Sequence, residues 1–138
     1  MARVLVVDDE RSICNTIEAV LRNAGHQVEC ADSGEMAIAL MRKSSPEILL
    51  TDLRMDGMSG MDLLGKAREY FPSVTVVLMT AYATIDSAVA AMKNGAYDYL
   101  VKPFTPEQLE HLVVRIEEFR RLRDENSKLR DQVDALSE

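Results

Sequence analysis

Residues 4 to 9 read Val-Leu-Val-Val-Asp-Asp, an apolar run that closes on two adjacent aspartates. Like charges that close repel, so their proximity implies a partner of opposite sign. Other apolar, β-branched runs also end on reactive groups: "EILLTD" on Asp52, "VTVVLMT" on Thr80, and "YDYLVK" on Lys102, followed by Pro103. If these ends converge, Asp8, Asp9 and Asp52 crowd together, and one carboxylate pair at about 4 Å costs about 4 kcal/mol at an effective dielectric of about 20. A hard dication and the Lys102 ammonium would relieve that cost. All-oxygen ligands suit Mg²⁺, which takes one or two carboxylates and keeps several waters. Such a cation draws in a phosphoryl donor and neutralises its oxygens. Asp52 is then the candidate nucleophile, because a carboxylate can accept a phosphoryl group as an acyl phosphate. Lys102 and the Thr80 hydroxyl would stabilise the transferred oxygens, since phosphoryl transfer needs mainly positioning and charge neutralisation.

Convergence requires a fold that brings strand ends together. Apolar runs at 3–8, 27–31, 47–52, 74–80 and 97–102 read as strands, and the near-continuous ones suit strands covered on both faces. Between them, helical spacing places Ile13, Ile17, Val20 and Leu21 on one face, then Met36, Ala37, Leu40 and Met41. Met61, Leu64 and Ala67 mark a third helix, and Ile85, Ala88, Val89 and Met92 a fourth. Gly25, Pro46, Pro72 and Gly95 are stop signals, and Ser12, Ser33, Ser59 and Thr84 are candidate N-caps, Ser12 and Ser33 the clearest. Strand–helix alternation predicts parallel strands with right-handed crossovers, a doubly wound α/β domain. In such sheets the binding crevice lies beyond the carboxyl ends of the strands.

The bulk numbers set limits. With 138 residues the chain holds about one domain, and a net charge of −7 argues against direct nucleic-acid contact through a diffuse basic surface. Cys14 and Cys30 fit no metal spacing and read as small apolar side chains in a reducing cytosol. No apolar stretch suits a signal peptide or a bilayer span, so a cytoplasmic protein without membrane contact is expected. His26 and His111 have no partner at ligand spacing and read as surface residues.

The segments "VLVVDDE", "LLTDLRMDGMSGMDLL", "VVLMTAYAT" and "GAYDYLVKPF" resemble the receiver domain of two-component response regulators. The likeness covers roughly residues 3–120, and "ATIDSAVAAMKNGAYDYLVKPF" is similar to receivers of the NtrC type, which control sigma-54-dependent transcription. It implies a flavodoxin-like sheet in strand order 2-1-3-4-5 and transfer of a phosphoryl group to Asp52 from a phosphohistidine on a sensor histidine kinase. It implies that Asp9, Asp52 and the backbone carbonyl of Arg54 hold Mg²⁺ directly, with Asp8 acting more through water. Thr80 and Tyr99 match the family's switch pair, and the Lys102–Pro103 bond is expected to be cis. Asp56 stands where the family often has proline. The domain would catalyse only its own phosphorylation and dephosphorylation, and so is not an enzyme in the turnover sense. A phosphohydrolase using Asp8 would need a D-x-D-x-T pattern, but Asp9, Glu10 and Arg11 follow it.

The last helix is expected to continue past the receiver domain (1–120) into a linker (121–138) without Gly or Pro. Phe119, Asn126 and Val133 recur every seven residues, continuing from Leu112, with Leu122, Leu129 and Leu136 offset between them. This is an a/d seam, and Asn126 at an a position favours a parallel dimer in one register. A homodimer through helices four and five and this coiled coil is expected. By resemblance, the linker would lead into an ATPase domain that this chain lacks.

Overall fold

The computed structural model describes residues 1–136, with side chains described through residue 126. In chain order the elements are β1 (Arg3–Val7), α1 (Arg11–Asn23), β2 (Gln27–Ala31), α2 (Gly34–Ser44) and β3 (Ile48–Asp52). Then come α3 (Gly60–Tyr70), β4 (Thr75–Thr80), α4 (Ile85–Lys93), β5 (Asp98–Val101) and α5 (Pro106–Leu136). All neighbouring strands pair in parallel, in the order β2-β1-β3-β4-β5. This is the doubly wound sheet that the strand–helix alternation predicts, in the flavodoxin-like order that the resemblance implies.

Successive strand residues point to opposite faces. Val4, Val6, Ile48, Leu50, Val77 and Met79 therefore pack under α1 and α5. Leu5, Val7, Leu49, Val76 and Leu78 pack under α2, α3 and α4. Burial on both faces explains the unbroken apolar runs. The chain leaves β1 for β2 on one side and later returns to β3 on the other. The loops after β1 and β3 diverge at that reversal and open a crevice at the carboxyl ends of the strands.

Helix caps follow the sequence in three of four places. Ser33 accepts from the Met36 N–H, and both Ser59–Asp62 and Thr84–Ser87 form reciprocal capping boxes. Ser12 is the exception: it lies inside α1, whose N-cap is Glu10 with no side-chain cap bond. The turn forms earlier because Asp8 Oδ1 accepts the Glu10 N–H at 2.9 Å. His26 also departs from expectation. Its side chain is only 7% exposed, and Nδ1 accepts the Ala2 N–H at 3.0 Å. A histidine that ties the start of the chain to the entry of β2 is a structural acceptor rather than a surface group.

Helix α5 buries Leu109, Leu112, Val113 and Ile116 in its own domain, so Leu112 serves the core and not a seam. The helix runs unbroken through residue 120. Phe119 rests on Tyr97 with ring centroids 5.1 Å apart, yet stays 43% exposed; Leu122 and Asn126 are exposed. The side chains of Leu129, Val133 and Leu136 lie outside the described residues. Arg120 bolts the helix to the α3–β4 loop, donating to the Ser73 carbonyl at 2.6 Å and to Thr75 Oγ1 at 2.9 Å. Arg120→Ala is expected to destabilise the domain by about 1–2 kcal/mol in urea unfolding, since hydrogen bonds from a charged donor are among the stronger ones. Among the described residues no helix is long and apolar enough to cross a membrane.

Candidate functional site

The strand ends deliver their side chains to one cleft of about 630 Å³, lined by Asp9, Asp52, Arg54, Thr80 and Lys102 among others. One ligand oxygen from each of Asp8, Asp9 and Asp52 lies within 4.8 Å of the others. Asp8 follows β1 and is buried; Asp52 ends β3 and is 8% exposed; Asp9 is open to solvent. Lys102 follows β5 and reaches across the sheet, with Nζ 2.7 Å from Asp8 Oδ2 and 3.4 Å from Asp52 Oδ1. The Lys102–Pro103 bond is cis, as the resemblance implies.

The electrostatics follow from that packing. Burial pushes the Asp52 carboxyl above its ordinary value; Lys102 opposes this, and the charge of Asp8 adds to it. Burial pulls Lys102 downward, but its hydrogen bond to Asp8 and the charges of Asp8 and Asp52 outweigh it, so its value rises. One ammonium thus faces a cluster of acids. Among the described residues Asp9 has no cationic partner within salt-bridge distance, which leaves the open side of the cluster uncompensated. An all-oxygen, acid-rich donor set of this kind fits a hard dication. Arg54 stands two residues beyond Asp52, at the cleft wall.

Thr80 ends β4, is 1% exposed, and its Oγ1 accepts the Tyr82 N–H at 3.0 Å. It does not cap α4; Thr84 does. Tyr99 sits on β5 opposite Leu78, half-buried, with its hydroxyl 2.9 Å from Ser87 Oγ. The structure therefore gathers Asp8, Asp9, Asp52, Thr80 and Lys102 at the cleft and places Tyr99 behind α4. The seam residues Phe119, Leu122 and Asn126 lie outside that cleft.

Three features escape a reading of the sequence. The Arg54 guanidinium stacks over the Tyr82 ring at 4.8 Å, roofing the cleft with residues from two loops. Ser87 partners Tyr99, a contact between distant segments. Gly60 begins α3 hard against the end of β3: a Cβ there would fall 2.2 Å from the Asp52 carbonyl oxygen and 2.8 Å from Leu53 Cα. A glycine in the first turn of a helix was the one available signal. Gly60→Ala is expected to cost about 1–3 kcal/mol in chemical denaturation, because backbone atoms cannot give way as a flexible side chain can.

Residues 4–114 match the family model of the response regulator receiver domain. The chain is 41% identical over 114 residues to the response regulator protein FleR of Pseudomonas aeruginosa, covering 83% of this chain and 24% of that protein. It is 39% identical over 112 residues to the DNA-binding transcriptional regulator NtrC of Salmonella typhimurium, covering 81% of this chain and 24% of that protein. The chain thus spans about a quarter of the length of these curated relatives. Among solved structures, NtrX from Brucella abortus superposes with a TM-score of 0.89 at 32% identity, covering 94% of this chain and 30% of that one. The chemotaxis protein CheY4 of Vibrio cholerae superposes with a TM-score of 0.81 at 30% identity, over 84% of this chain and 98% of that one. A sheet in the order β2-β1-β3-β4-β5, acids and a lysine meeting at its carboxyl edge, and a family match over most of the length lead to one conclusion: the chain belongs to the receiver domains of two-component response regulators.

Proposed function

We propose that the domain is a phosphorylation-dependent switch that accepts a phosphoryl group on Asp52 from the phosphohistidine of a cognate sensor histidine kinase. The observation that carries this reading is the meeting of Asp8, Asp9, Asp52 and Lys102, drawn from separate strands, in one open cleft. Asp52 provides the nucleophilic oxygen. Asp9, Asp52 and the Arg54 backbone carbonyl would hold Mg²⁺, with Asp8 acting through water. When bound, Mg²⁺ neutralises charge on the phosphoryl oxygens. Asp8 anchors Lys102 at 2.7 Å, which keeps the ammonium beside Asp52 before any substrate arrives. The Thr80 hydroxyl, now accepting from the Tyr82 amide, would turn to a phosphoryl oxygen, and Tyr99 would swing inward behind it.

The domain catalyses its own phosphorylation and dephosphorylation and turns over no other substrate. The output we infer is control of sigma-54-dependent transcription through a downstream ATPase domain. The names of the regulators FleR and NtrC support a regulatory output, and NtrX was crystallised in complex with ATP. The acidic charge of −7 supports the absence of direct nucleic-acid contact by this domain, and membership of the receiver family is consistent with a location in the cytoplasm. Residues 1–120 would act as the receiver and 121–138 as a linker that pairs with a second copy. Helix α4 presents Ile85, Val89 and Met92 to solvent, and α5 presents Phe119 and Leu122, which supports a homodimer through both helices. Light scattering before and after adding Mg²⁺ and beryllofluoride tests this. A change in mass or shape is expected, and an identical particle under both conditions contradicts the reading.

A further inference from the structure

Helix α4 is weakly anchored. Of its residues only Ala91 is buried, and Ile85 is 83% exposed. A helix with so little buried area depends on the polar contacts at its start. Those contacts centre on Ser87. Its N–H donates to Thr84 Oγ1 at 3.0 Å, and its own Oγ accepts the Thr84 N–H at 3.2 Å and donates to the Thr84 carbonyl at 3.1 Å.

A hydroxyl has one proton and two lone pairs. With the Thr84 carbonyl taking the proton and the Thr84 amide filling one lone pair, the second lone pair of Ser87 Oγ lies within reach of two hydroxyls, Thr84 Oγ1 and that of Tyr99, each at 2.9 Å. Thr84 is exposed, so water can take its hydroxyl proton, whereas the half-buried Tyr99 hydroxyl has Ser87 Oγ as its partner. The Tyr99 ring leans on the same apolar layer that lies beneath α4. The tyrosine is therefore bonded into the cap of the helix it faces, and the bond holds only while the ring stays turned toward α4.

We propose that the Ser87–Tyr99 hydroxyl pair is a latch that holds Tyr99 outward and fastens the first turn of α4, so that an inward swing of Tyr99 releases that turn. Ser87 is then a positioning residue of the switch, acting through Tyr99. The use of the latch in signalling rests on the switch role assigned to Tyr99 above; the fastening of α4 does not.

The test uses the full chain and compares Tyr99→Phe, Ser87→Ala and the double variant. Tyr99→Phe removes one hydroxyl and leaves the capping box whole, so it reads the latch without unfolding the helix. In the absence of Mg²⁺ and phosphodonor, amide exchange over residues 85–88 should accelerate about threefold to tenfold in Tyr99→Phe, the range expected for one lost hydrogen bond. Ser87→Ala should accelerate it at least as much, and the double variant should match Ser87→Ala, because both changes break the same bond. Apparent affinity for beryllofluoride should rise with exchange, since weakening the resting state shifts the population toward the activated one. Wild-type exchange and wild-type beryllofluoride affinity in Tyr99→Phe would overturn the latch, as would fully additive effects in the double variant. A wild-type protein that binds no beryllofluoride would overturn the phosphoacceptor reading instead, and the exchange rates would still decide whether Tyr99 fastens α4.

Discussion

Asp52→Asn is expected to abolish phosphorylation and, in the same protein, to raise its stability at neutral pH. Loss of labelling follows from chemistry, because the amide oxygen is a poor nucleophile toward phosphorus and its product lacks the acyl-phosphate character. The gain in stability follows from position. The folded protein holds the Asp52 carboxyl above its ordinary value, by burial first and by the charge of Asp8, with Lys102 compensating in part. A raised carboxyl binds its proton more tightly in the folded state than in the unfolded chain, so stability falls as pH climbs through the folded value. The penalty is absent well below the ordinary value of 3.8 and sets in as pH climbs through the raised value. Removing the charge lifts it, by about 1 kcal/mol if the crowding sits near the weak end of the range for like charges in contact. Urea unfolding of wild type and variant as a function of pH checks this: the two curves should separate near neutrality and meet in acid. A variant that is less stable than wild type at pH 7 would show that Asp52 is a net stabilising group, against the argument.

Lys102→Ala should do the opposite. Its side chain is 13% exposed, and its ammonium bonds the fully buried side chain of Asp8. Removing it leaves Asp8 with the Glu10 amide and brings the acids face to face without a counter-charge. Breaking a buried pair on one side costs about 3–5 kcal/mol, and the open cleft should reduce this to about 2–4 kcal/mol. The lysine is held above its ordinary value despite burial, so its contribution persists through the neutral range and fades only as pH rises through that elevated value. A dication can replace the lost charge. Added Mg²⁺ should therefore raise the melting temperature of Lys102→Ala by more than it raises that of wild type. Lys102→Ala should still bind the metal but fail to convert phosphorylation into a change of assembly, as read by light scattering. Equal Mg²⁺ responses in the two proteins would mean that lysine and metal do not answer the same acids.

The sheet was legible because burial on both faces leaves a plain mark. Val4–Val7, Ile48–Leu50 and Val76–Met79 are apolar at every position because each strand is covered by helices on each side. The site was legible for a related reason, since a strand that ends on Asp52 or just before Lys102 delivers that group to the same edge in a parallel sheet. Ser12 misled because side chains that cap a helix resemble those one turn inside it, and Asp8 had already fixed the turn at Glu10. The apolar stripe on α4 gave its helical spacing correctly, but periodicity cannot say whether a stripe faces core or solvent, and Ile85, Val89 and Met92 face solvent. The pairing of Ser87 with Tyr99 depends on how a helix meets a strand, and that of Arg54 with Tyr82 on how two loops meet, and no local pattern encodes either.

On the proposed reading, acids from separate strands present Asp52 for phosphorylation in the company of Mg²⁺. The most direct test incubates the chain with acetyl phosphate, with and without Mg²⁺, and maps the added mass by peptide fragmentation. A single phosphoryl group is expected on Asp52, formed only with the metal present and absent from Asp52→Asn. A phosphoryl group found on another residue, or labelling of Asp52 that proceeds equally well in chelator, would contradict it.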